Sequence, residues 1–177
     1  MIKEVINVPS GDIYDKFIEY AFSISDVFMF MICDYGDTSK FSKSVRPFLK
    51  SIEPHLILRY NSNRWPANIT LDKRKHILSF YKCCEETKSQ LLRVNGLYNW
   101  GYPDLPEDLC FFINGYCWFM STSHESFSCV NSNNSSIFIE LKNIGFKFDD
   151  LADDSLLYFF EKRLCDTGTA DCYKRLK

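Results

Sequence analysis

The chain carries one His-Glu pair with cysteines on both sides: Cys110 and Cys117 precede His124-Glu125, and Cys129 follows. Sulfur and imidazole so placed suggest two chemistries. A zinc site would take Cys110, Cys117 and His124, but their C-x6-C-x6-H spacing lacks the close cysteine pairs of structural zinc sites. A thiol enzyme would use Cys129 as nucleophile, His124 as base and Glu125 as the group orienting it. Against this, Cys129 has no helix N-terminus and no basic neighbour except His124 to favour its thiolate. His55 before a strand, and His76 in a Lys/Arg-rich turn, are placed to pair with surface acids. No nucleophile elbow, phosphate loop or HExxH pattern occurs. The reading preferred here makes His124 a strand end tucked against Trp118, with Glu125 in water. It expects no catalytic residue, no metal and no cofactor. A small cytosolic enzyme with a Cys/His site around His124 is the alternative.

Acids and aromatics suggest a different kind of site. Asp149, Asp150, Asp153 and Asp154 lie within six residues. Asp104, Glu107 and Asp108 share a short stretch with Pro103 and Pro106, just after Tyr98, Trp100 and Tyr102. Pro106 suits the first position of a helical turn, with Glu107 and Asp108 at its positive end. The stretch reads either as an acidic ledge beside exposed aromatics or as a rigid loop leading into the next strand. On the first reading Trp100, Tyr102, Asp104, Glu107 and Asp108, with the four aspartates at 149–154, are the candidate partner-binding residues. Tyr and Trp favour interfaces, and acids would suit a basic partner.

Composition narrows the field. The 177 residues fit one domain, 1–177, and a chain of this size buries about 70% of its unfolded surface without staples. Sixteen Phe, ten Tyr and three Trp supply a large aromatic core. A net charge of −2 with no basic stripe argues against nucleic-acid binding. The N-terminal stretch does not read as a signal peptide, and no window approaches the ~20 apolar residues of a membrane span. Eight cysteines, mostly inside apolar runs, read as reduced thiols of a cytoplasmic protein, monomeric or homodimeric.

The elements that must position these residues follow from periodicity. Residues 11–24 read as an amphipathic helix and 26–35 as a buried strand. A second helix capped by Thr38 or Ser39 ends at Pro54, and strands follow at 55–61 and 76–84 around a turn at 65–68. Residues 84–94 form a short helix stopped by Asn95-Gly96 in the left-handed region. Asn114-Gly115 signals a two-residue type I′ turn joining strands within 109–121. That register pairs Phe112 with Cys117, Phe111 with Trp118 and Cys110 with Phe119. Both faces are then apolar, so the hairpin lies centrally in a sheet, or one face binds something. Residues 128–136 read as one exposed loop. A helix from Ser135 or Ser136 to Asn143 ends at Gly145, and a last helix covers 153–164. The fold class is α+β: a mainly antiparallel sheet with a central hairpin and helices packed on it.

The stretch LYNWGYPDLPEDLCFFINGYCWFMSTSHE, residues 97–125, resembles a small family of uncharacterised bacterial proteins. Its shared pattern is W, then P-x-LPEDL-C-F, a Gly turn, W-(F/L) and a closing HE. Looser similarity covers FIEYAFSISDVFMFMI and SIEPHLI. Some members carry the label stage III sporulation protein AH, which fits poorly because such a protein should have a membrane anchor. The family looks like cytosolic companions of secreted toxins. The resemblance therefore implies an immunity protein that neutralises a cognate toxin domain, and it assigns no catalytic residue.

Overall fold

The computed structural model describes residues 1–33, 45–66, 68–70 and 74–150. Among them an eight-stranded sheet, entirely antiparallel, carries helices on one face. Its strands are β1 (Ile2–Val5), β2 (Val27–Ile32), β3 (Leu56–Ser62), β6 (His76–Lys82), β7 (Glu107–Ile113), β8 (Tyr116–Thr122), β9 (Phe127–Asn131) and β10 (Phe148–Asp150). They run in the order β10-β1-β9-β8-β7-β2-β6-β3. β4 (Arg64–Trp65) and β5 (Asn68–Ile69) form a separate small ribbon. The helices are α1 (Asp12–Ile24), α2 (Val45–Ile52), α3 (Glu85–Leu91) and α4 (Ser135–Ile144). The α+β architecture and the central position of the β7–β8 hairpin are as the sequence predicts.

The helices form for the expected reason. In α1, Tyr14, Phe17, Ile18 and Ala21 recur at helical spacing and are all buried. With Ile52, Leu91, Ile137, Phe138 and Leu141 from the other helices they cover Phe28, Phe30, Phe111, Trp118 and Phe119 of the sheet. α4 is capped by Asn134, whose side chain accepts the Ser136 N–H, and ends at Gly145 with φ 119°. A second apolar cluster fills the opposite face, from Val27, Met29, Met31, Leu78, Phe80, Cys110, Phe112, Cys117, Met120 and Cys129, with Trp65 of β4.

Bulges correct the predicted register. The turn falls at Asn114-Gly115, with φ 50° and 81°, and Ile113 and Phe112 pair with Tyr116 and Cys117 as expected. Beyond them Phe111 faces Phe119 and Cys110 faces Met120, because β8 holds Trp118 as an extra residue. Phe119 therefore joins the helix-side core and Met120 the other face, the reverse of the predicted assignment. Four further expectations are revised. Gly96 is extended, at φ 177°, and bridges Ser10 instead of stopping α3 in the left-handed region. Pro106 opens no helical turn, since Glu107 already begins β7. Residues 128–131 belong to β9, with Ser128, Cys129 and Val130 buried, and the loop shrinks to 132–134. His76 leaves the surface turn, buried as the first residue of β6 with its ring edge-on to Trp65. The predicted caps Thr38 and Ser39, and the helix 153–164 with Asp153 and Asp154, lie outside the described residues.

Candidate functional site

Glu107 and Asp108 stand where β7 enters the sheet. Met29 pairs with Cys110 and Met31 with Glu107, so Phe30 alone on β2 opposes both Asp108 and Leu109. This bulge holds Asp108 at φ 57°, a region that Asp tolerates better than most residues, and turns its side chain out of the alternation. Its two carboxylate oxygens accept the Trp65 indole N–H at 2.8 Å and the Ser123 N–H at 3.0 Å. Burial pushes its pKa from 3.8 up to about 6, against the lowering effect of the Ser123 and Trp65 hydrogen bonds. Glu107 is also buried and accepts the Tyr102 N–H at 3.1 Å. His124 lies in a 3-10 turn, Ser123–Glu125, its side chain 60% exposed. Its Nδ1 is 3.9 Å from Glu107, and its Nε2 is 3.7 Å from Glu125. Glu107, Asp108 and His124 thus gather at the base of the hairpin, but Asp108 is already engaged as a clamp between elements.

The acidic-ledge reading changes accordingly. Trp100 is buried, its ring 4.5 Å from Phe30 and 5.4 Å from Phe48, and its indole N–H reaches the Tyr14 hydroxyl at 3.2 Å. An indole this large gains more from burial than from display once its N–H finds a partner. Tyr98 is half-buried and hydrogen-bonds Ser128 at 2.9 Å. Asp104 alone of the three ledge acids is exposed, with Tyr102 half-buried beside it. Trp100, Glu107 and Asp108 are not surface anchors.

His124 is mostly exposed beside Glu107, whereas Trp118 is buried in the helix-side core with its indole N–H donating to Ser25 at 2.8 Å. Cys110 and Cys117 belong to the buried second cluster, and the ligand group that contains His124 is completed by Glu107 and Asp108, not by these sulfurs. Cys129 is buried there too, its thiol pushed up to about 12 by burial and then by Glu4. Such a thiol is a poor nucleophile near neutral pH.

Asp149 and Asp150 occupy the edge strand β10, both exposed. Asp150 meets Lys3 at 2.6 Å, which holds its carboxyl below the usual range. Asp149 pairs directly with Glu4 of β1. Directly opposed residues share a face, so two acids lie on the same face of this edge, with the Asp149 carboxylate accepting the Asp150 N–H at 2.8 Å; like charges so placed are unfavourable. Ile6 and Val8, which follow β1, are 57% and 64% exposed. The strand β1 had no counterpart in the sequence reading, so this acidic pair was missed.

Two other features were missed. An open groove of about 400 Å³ runs past Ile32, Leu49, Lys50, Glu53, Arg59 and Ile77, with Arg59 gripped by both Glu53 oxygens at 3.1 and 2.8 Å. The Cys84 sulfur lies 3.4 Å from His55 Nδ1, a contact made between positions 29 apart in the chain. Neither leaves a local sequence signal. Among the described residues no helix is long and apolar enough to cross a membrane. No protein-family model matches the chain, and no curated protein or solved structure matches it.

Proposed function

We propose that the protein is a bacterial immunity protein that acts in the cytoplasm, binding a cationic surface of a cognate secreted toxin domain and performing no catalysis of its own. The observation that carries this reading is the cross-strand pairing of Glu4 with Asp149, beside exposed Asp150, Ile6 and Val8. Two like charges placed opposite each other on a sheet edge weaken the free protein slightly. A basic partner turns the same pair into complementary charge, which speeds encounter and fixes orientation. The apolar neighbours supply contact area, and Asp104 with Tyr102 is a second exposed acidic position. The resemblance of residues 97–125 to an uncharacterised bacterial family that looks like cytosolic companions of secreted toxins supports the same partner class. Coexpression with a cognate toxin domain, sought in the neighbouring upstream reading frame, tests the proposal. Growth rescue and co-purification are expected; failure of both removes the immunity reading.

A further inference from the structure

We propose that His55, Cys84 and Glu86 form a binding site for a thiophilic divalent cation, with Zn²⁺ as the best fit. The three residues come from separate segments. His55 closes the 3-10 turn Glu53–His55 that joins α2 to β3. Cys84 is the N-terminal cap of α3, and Glu86 lies in the first turn of that helix. Each offers one ligand atom, and all three atoms lie within 4.8 Å of one another.

The distance between sulfur and nitrogen carries the argument. Zinc binds thiolate at ~2.3 Å and imidazole at ~2.0–2.1 Å, so two such ligands on a tetrahedron are ~3.5 Å apart. Cys84 Sγ and His55 Nδ1 are 3.4 Å apart. One edge of the tetrahedron therefore already has the length a bound cation requires. His55 and Cys84 are half-buried, so the site is partly dry yet open to solvent. Glu86 is exposed and needs only a side-chain rotation to provide the third ligand, leaving the fourth position to water. Its carboxyl is held below the usual range by its own backbone N–H and then by hydrogen bonding to Cys84.

The surroundings suit a ligand sulfur. The Thr87 hydroxyl lies 3.4 Å from Sγ and 2.9 Å from the Lys82 carbonyl, so its one proton can turn from that carbonyl to a ligand thiolate. On binding, Cys84–SH and M²⁺ give Cys84–S–M⁺ and a released proton, while neutral His55 donates its Nδ1 lone pair. Thiolate with imidazole selects zinc-like ions over Mg²⁺ or Ca²⁺. The bound ion would fasten the α2–β3 junction to α3. The site is independent of the partner-binding reading. It also differs from the group at Glu107, Asp108 and His124, where both Asp108 oxygens already accept protein N–H donors.

Co²⁺ titration of the full chain, without a polyhistidine tag and stripped of metal, tests the proposal. A near-ultraviolet sulfur-to-cobalt charge-transfer band should saturate at one equivalent, be displaced by Zn²⁺, and be accompanied by a rise in melting temperature. Cys84→Ser should abolish the band. Serine is a good helix cap, so this variant keeps the fold while removing the ligand. His55→Ala should weaken Zn²⁺ binding on the order of tenfold or more, and His124→Ala should leave it unchanged. Absence of the band in the wild-type chain overturns the assignment. So does a band that survives in Cys84→Ser, or zinc affinity that survives in His55→Ala.

Discussion

The indole N–H of Trp65 donates to the carboxylate of Asp108 at 2.8 Å, and this bond fastens the β4–β5 ribbon to the central sheet. The same carboxylate accepts the Ser123 N–H and holds the 3-10 turn that carries His124. Asp108→Ala leaves both donors facing a buried void. Each buried donor left unpaired costs about 1–3 kcal/mol. Urea denaturation should therefore show a loss of about 2–6 kcal/mol, and a loss below about 1 kcal/mol would deny the clamp its role.

Asp108 also gives the fold a pH signature. Burial raises its folded-state pKa from 3.8 to about 6, so it stabilises the fold most fully when protonated. That contribution is complete below the ordinary carboxyl pKa and is lost as pH rises through about 6. One pKa unit corresponds to about 1.4 kcal/mol, so the wild-type advantage over Asp108→Asn should shrink by up to about 3 kcal/mol between pH ~4 and ~7. A gap that widens with pH would contradict this.

Trp100 is a core residue. Trp100→Ala should cost about 3–5 kcal/mol of stability. Trp100→Phe keeps most of the apolar volume and loses the bond to Tyr14. It should lower the melting temperature while leaving partner affinity unchanged when both are measured below the transition.

What could be read from the sequence follows from the range of each signal. The Asn114-Gly115 turn, the α1 stripe and the Asn134-to-Gly145 limits of α4 are written in neighbouring residues, and the structure places them close to expectation. The bulges at Trp118 and Asp108 are not, because an extra residue in a strand depends on what its partner strand offers. That dependence exchanged Phe119 with Met120. Trp65 looked like part of a turn, yet its partner is 43 positions away. His55 and Cys84 meet only because β3 and β6 pair. Of the candidate binding acids, Asp104, Asp149 and Asp150 are at the surface, whereas Glu107 and Asp108 are consumed by backbone and indole donors.

Gly145 ends α4 at φ 119°, and a Cβ there would lie 3.1 Å from Ile13 Cδ1 of α1. Gly145→Ala combines left-handed strain of about 1–2 kcal/mol with that contact, so a loss near the upper end is expected in thermal unfolding. A neutral effect would mean that α4 ends differently.

The pairing of Glu4 with Asp149 gives opposite predictions for stability and for binding. Asp149→Asn relieves the like-charge contact and should stabilise the free protein by about 0.2–1 kcal/mol. The same change should weaken association with a basic partner. A variant that loses stability and keeps full affinity would make the acidic pair merely structural.

The association rate between the full chain and the proposed cognate toxin domain, measured at low and high salt, tests the central claim most directly. The wild-type rate should fall steeply with salt. Asp149→Lys should associate on the order of tenfold more slowly at low salt, with a flatter salt dependence. No binding by the wild-type chain, or identical rates and salt slopes for the two proteins, would contradict the account.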